Sequence, residues 1–139
     1  QVSIHSGADL LACVKLRPKG LLRWYTRCCH TPLGNTMDKA SLSFVGLIHT
    51  ALDSRRLQQD FGPVLAVANS GSALGSGAPK DHGLPRVVFN VMRMIVGGWV
   101  RGAARRNPFF KTDGQPVVEP HVLSVDELTR CQASGEALP

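Results

Sequence analysis

The sequence predicts a mainly β domain of the α+β class, carrying an amphipathic helix in its C-terminal half and a short helix at the end. Three observations predict it. Short apolar runs bounded by turn-forming residues fill the first half. One long segment, 84–104, repeats its apolar residues at spacings of three and four. A capping pattern, Ser124 followed by Glu127, opens a last short segment. With 139 residues, 43% hydrophobic and 19% charged, the chain is long enough for one buried core and too apolar to be disordered.

In order along the chain, Leu10 to Leu16 is an apolar run that reads as a strand. Arg17-Pro18-Lys19-Gly20 is a turn, since proline presets φ and glycine supplies freedom. Leu21 to Arg27 reads as the returning strand of a hairpin. Cys28 to Thr36 follows as a knuckle rich in turn formers, and Ser43 to Thr50 reads as a further strand. Ser54 caps a short helical turn ending at Gly62-Pro63, and Val64 to Ala68 reads as a short apolar strand.

Ser70 to Gly83 is dominated by glycine and serine and reads as a loop or linker. Its Gly71 to Gly77 stretch resembles a phosphate loop in glycine content alone, without the Lys-Ser/Thr ending. The organisation expected is therefore residues 1–69 as the β-rich portion, 70–83 as linker, and 84–139 as a helical appendage and extension of the same domain. In the helix, Leu84, Val88, Val91, Met92, Ile95 and Trp99 share one face, expected to pack on the β-portion, with Arg86, Arg93 and Arg101 opposite. Pro85 suits the first turn and Gly97-Gly98 is the weak point. Asn107-Pro108 ends the segment, Phe109-Phe110 offers an apolar anchor, and Val117 to Leu123 is extended.

The formal charge is +6, and from 83 to 112 there are five arginines and Lys111 with no acidic residue. Arginines on the wet face of a helix account for this, so neither nucleic acid nor a membrane surface is the expected partner. No run reaches the roughly 18 apolar residues of a membrane span, and no signal peptide is read. Gln1 to His5 looks like a strand entered midway, so a longer natural chain is expected upstream. Four cysteines, two of them adjacent, make a poor disulfide frame, and reduced thiols in the cytoplasm are expected.

The knuckle is the segment with a chemical signature. A cysteine at the turn of a β-hairpin is how zinc knuckles present thiolate. Cys28 and Cys29 are adjacent, and neighbours in extended chain point to opposite sides, so one of them, not both, is expected to hold a given ion. Cys13 is a further candidate should the hairpin bring it across to them, which the sequence does not establish. The plain alternative is one buried and one solvent-facing structural cysteine. The five histidines show no ligand spacing, and Asp126-Glu127 is explained by capping.

The run Arg23-Trp24-Tyr25-Thr26-Arg27-Cys28-Cys29-His30-Thr31-Pro32-Leu33 resembles the second cysteine pair of the glutathione-dependent formaldehyde-activating enzyme family, in which an aromatic residue precedes Cys, two residues, Cys, Gly, Thr, Pro and Leu. Aligned on Thr31-Pro32-Leu33, the second cysteine falls on Cys29 and the first on Thr26. An uncharacterised bacterial branch is similar over most of the chain, through Pro18-Lys19-Gly20-Leu21, Cys28-Cys29, Gly34-Asn35-Thr36, Phe44-Val45-Gly46-Leu47 and Asn107-Pro108-Phe109-Phe110.

This resemblance implies a β-tent, a pair of antiparallel sheets. It also implies zinc held by thiolates, with Cys29 at the second cysteine position and Cys28 as the substitute for the lost first one, and a carbon–sulfur lyase acting on a small thiol or thiol adduct. The family's catalytic zinc cysteines lie upstream of this region, so the expectation for these residues is zinc binding, with turnover left to an intact form. The alternative, from another class, is a non-enzymatic scaffold using the basic helix.

Overall fold

The computed structural model describes residues 2–42, 44–68, 70, 79–102 and 107–134. The first hairpin forms where the sequence places it. Strand β1 (Leu11–Lys15) pairs antiparallel with β2 (Leu22–Thr26), in the register Leu11 to Thr26 and Cys13 to Trp24. β2 pairs antiparallel with β3 (Pro32–Thr36), with an irregularity between Trp24 and Tyr25. β3 pairs antiparallel with β4 (Val45–Leu47). A two-residue strand from the far end of the chain, β5 (His121–Val122), joins the free edge of β1 in parallel. The strand order is β4-β3-β2-β1-β5.

The chain is thus α+β and mostly sheet, as its sequence predicts. The described residues form one mixed sheet, whereas the resemblance implies two antiparallel ones. The parallel edge arises because β5 arrives from a connection long enough to cross the molecule, which a tight hairpin cannot do.

β3 corrects the reading of Pro32 to Thr36 as turn. Its residues are weak strand formers, yet two paired neighbours supply the ladder. Gly34 permits the approach, because a Cβ there would stand 2.6 Å from the Gly46 carbonyl oxygen. Val64 to Ala68 departs the other way. It forms no strand, only an isolated bridge from Val67 to His82, and Val64 and Leu65 stay exposed.

The core lies on one face of the sheet. Leu11 and Cys13 of β1 and Leu22 and Trp24 of β2 point to the same side, where Phe109 and Phe110 close over them. The Phe109 ring centroid is 4.9 Å from that of Trp24. The Trp24 indole N–H donates to Thr36 Oγ1 at 2.9 Å, so the buried polar atoms of both are satisfied. Phe109-Phe110 is therefore the anchor that the sequence suggests.

Among the described residues the α-helices are α1 (Leu57–Phe61), α2 (Leu84–Val100) and α3 (Val125–Ser134). Gly83 precedes α2 at φ 70 and packs so closely on Leu65 and Ala66 that a side chain would collide with their backbone. The capping box of α3 is formed: Ser124 N–H donates to Glu127 Oε2 at 2.8 Å, and Glu127 N–H donates back to Ser124 Oγ at 3.3 Å. These bonds, those from Ser124 foremost, hold the Glu127 carboxyl at about 2.

The helix α2 departs from its expected packing. No residue in it is buried. Leu84, Val88, Met92 and Trp99 are each at least half exposed, and the less exposed stripe is Val87, Val91, Ile95 and Gly98. The helix therefore rests on its surroundings by an edge of the apolar face. The helix ends at Val100, capped by Arg101, short of the expected 104; the core of the linker (71–78) and residues 103–104 of the expected helix lie outside the described residues.

Candidate functional site

The cysteine knuckle is the turn that joins β2 to β3. It is closed by two backbone bonds, Thr26 N–H to the Thr31 carbonyl at 3.0 Å and His30 N–H to the Thr26 carbonyl at 2.8 Å. His30 takes φ 54, the only positive value at a non-glycine among the described residues. That left-handed residue reverses the chain and sends Thr31 back alongside Thr26.

The reversal gathers three side chains around the Cys29 sulfur. Thr26 Oγ1 lies 3.0 Å and Thr31 Oγ1 3.1 Å from Cys29 Sγ. Thr26 Oγ1 also accepts the Thr31 N–H at 3.1 Å, which leaves its own proton free to face the sulfur. Cys28 Sγ is 3.7 Å from Cys29 Sγ. Hydrogen bonds to a thiolate favour the charged form. The Thr26 hydroxyl, then the Thr31 hydroxyl and N–H, then Cys28 pull the Cys29 thiol down to about 6, although the group is exposed. Cys29 is a thiolate at neutral pH.

The adjacent cysteines correct the expectation that they point apart. They sit in the turn and not in extended chain, so both sulfurs face the same way. Two sulfurs on a tetrahedral zinc, each about 2.3 Å from the ion, stand about 3.8 Å apart. The 3.7 Å spacing of Cys28 and Cys29 fits that edge. Thr26 and Cys29, three residues apart, are in contact across the turn. Thr26 brings a hydroxyl where a second thiolate would complete a Cys-x-x-Cys pair.

Cys13 does not join the knuckle. It is buried in the core on β1, and burial pushes its thiol up to about 12. Cys131 lies on α3, and all four cysteines are free. The histidines are scattered: His49 is exposed in a 3-10 turn, and His121 on β5 reaches Glu127 at 3.3 Å. Among the described residues no group of three or more His, Cys, Asp or Glu side chains is placed to hold a metal ion. The knuckle thus offers two sulfur ligands, and a closed tetrahedral site needs two more donors.

On the sheet face opposite the core, a cleft of about 390 Å³ opens beside the knuckle. Arg23 and Tyr25 of β2 and Asn35 of β3 project into this side, and His30 and Pro32 border it from the knuckle. The Tyr25 and His30 ring centroids are 6.0 Å apart. The cleft's one signal in the sequence is the alternation of Arg23 and Tyr25 with the core residues Leu22 and Trp24.

A family model matches residues 1–121, described as a family of unknown function, DUF6151. The chain belongs to that family. No curated protein and no solved structure matches it. Among the described residues no helix is long and apolar enough to cross a membrane.

Proposed function

We propose that the knuckle is a thiolate site for zinc, with Cys29 as its principal ligand and Cys28 as its second, in a protein related to the formaldehyde-activating carbon–sulfur lyases. The observation that carries this reading is the pair of sulfurs 3.7 Å apart, one of them a thiolate at neutral pH. Zinc would act there as a Lewis acid toward a small thiol or thiol adduct. The residues themselves do the holding: Thr26 and Thr31 fix the Cys29 sulfur, and Cys28 stands at the second corner. Two ligands make a weak site, so binding, not turnover, is the function assigned to these residues. Reduced, exposed thiols fit a cytoplasmic setting.

Zinc content measured by elemental analysis after dialysis against buffered zinc tests this. The chain should hold zinc weakly, Cys29→Ser should lose it, and Thr26→Cys should hold it more tightly by restoring the Cys-x-x-Cys pair. Stoichiometric zinc that survives Cys29→Ser would sink the reading.

A second reading is favoured by α2, whose apolar residues Leu84, Val88, Met92 and Trp99 stand exposed. A scaffold or interaction module would use such a face. It predicts association that the triple change of Arg86, Arg93 and Arg101 to Gln, or Trp99→Ala, weakens while zinc binding is unaffected.

A further inference from the structure

We propose that the cleft on the open face of the sheet binds a small organic carboxylate, its charge held by Arg23 and its apolar body lying among Val14, Tyr25 and Ile48. This does not rest on the zinc reading, since none of its residues is a sulfur ligand.

The case begins with the sheet register. Arg23 is paired with Val14 on β1 and with Asn35 on β3, which puts it in the middle of the sheet. Residues there normally meet either a core or an opposite charge. Arg23 has neither: its neighbours Leu22 and Trp24 face the core, and it faces the cleft. Among the described residues it makes no ion pair, and no acidic side chain lines the cleft. A half-buried guanidinium that has lost part of its hydration and gained no anion is an incomplete site.

Its neighbours fit the same ligand. The Asn35 amide and the His30 ring line the cleft, and among the described residues neither makes a side-chain hydrogen bond. Both can donate. The remaining walls, Val14, Tyr25, Pro32 and Ile48, are largely apolar. A volume of about 390 Å³ is at the small end of ligand pockets, which span about 300–1,000 Å³. Such a space takes a compact molecule with a flat or short apolar body. Carboxylate is the anion chosen because its planar fork matches guanidinium bidentately, and one arginine balances its single charge. A phosphate monoester would bring close to two charges to a site with one fixed cation.

Benzoate is the probe, with benzamide and phenyl phosphate as its neutral and doubly charged counterparts. Amide shifts of Arg23, Tyr25 and Asn35, followed by NMR as each compound is titrated into the full chain, read both affinity and place. Benzoate should give saturable shifts at these residues, with benzamide at least tenfold weaker. Arg23→Gln should weaken benzoate at least tenfold, and Arg23→Lys, which keeps the charge but not the fork, by less. Should Arg23→Gln fail to fold, the lysine variant and the benzamide comparison still decide the matter. Changing Cys28 and Cys29 to Ser should leave benzoate binding intact, which separates this test from that of the metal. Equal binding of benzamide, tighter binding of phenyl phosphate, or no saturable shift at millimolar benzoate would each overturn the assignment.

Discussion

The two tryptophans of this chain sit in opposite circumstances. Trp24, at the centre of the sheet, is 1% exposed, stacked on Phe109 and bonded to Thr36. Trp99, near the end of α2, is 58% exposed, with its indole N–H donating to the Ser41 carbonyl. Each lies in an element that its local sequence announces. The difference is that the sheet closes on a second layer brought from far along the chain, while α2 meets its neighbours by one edge. Periodicity forms an amphipathic face; it does not supply a partner for that face.

The widest gap between buried and exposed regions is expected in the thiols. Cys29, pulled down to about 6, should react with iodoacetamide along a profile that rises through pH 6, well below the ordinary 9.0. Cys13, pushed up to about 12, should stay unlabelled until the chain is denatured. Because the Thr26 and Thr31 hydroxyls stabilise the charged form, Thr26→Val or Thr31→Val should move the Cys29 profile back toward higher pH. Mass spectrometry of labelled peptides reads both, and a Cys29 profile centred near 9 would break the account of the knuckle.

Next in size is the core itself. Trp24→Ala should cost about 3–5 kcal/mol in denaturant unfolding, the range for a fully buried large aromatic. A smaller step isolates its polar contact. Thr36→Val keeps the shape and leaves the indole N–H unpaired, at about 1–3 kcal/mol. If Thr36→Val proves neutral, the buried hydrogen bond is not what fixes Trp24. The smallest effects belong to α2. Val88→Gln and Met92→Gln should stay within about 0.5 kcal/mol, as exposed substitutions do. A loss of 2 kcal/mol or so at either would show that the helix face is covered in solution and would favour the interaction reading.

Much of the site was legible in part. The hairpin, the turn and the pair Cys28 and Cys29 follow from short-range signals. The direction of the two sulfurs does not, because extended geometry gives way to a turn in which His30 adopts a left-handed conformation. The Thr26–Cys29 contact depends on the same reversal. Arg23 gives only the weak signal of its alternation with Leu22 and Trp24, since an arginine within a strand reads as a solvated side chain until the sheet around it is known.

By itself the sequence determined the elements governed by neighbours a few residues away. These are the β1–β2 hairpin with its proline–glycine turn, the long helix beginning at Leu84, and the Ser124–Glu127 capping box, each fixed by backbone preference, side-chain period or a local hydrogen bond. The tertiary structure decided what depends on partners distant in sequence. Pro32 to Thr36 became a strand because β2 and β4 flank it. Val64 to Ala68 did not, because among the described residues only His82 bridges to it, at Val67. Phe109 and Phe110 were drawn into the core, whereas the equally apolar face of α2 was left in water. Burial requires a second surface of matching shape, and which surfaces meet is a property of the whole chain path, not of any segment.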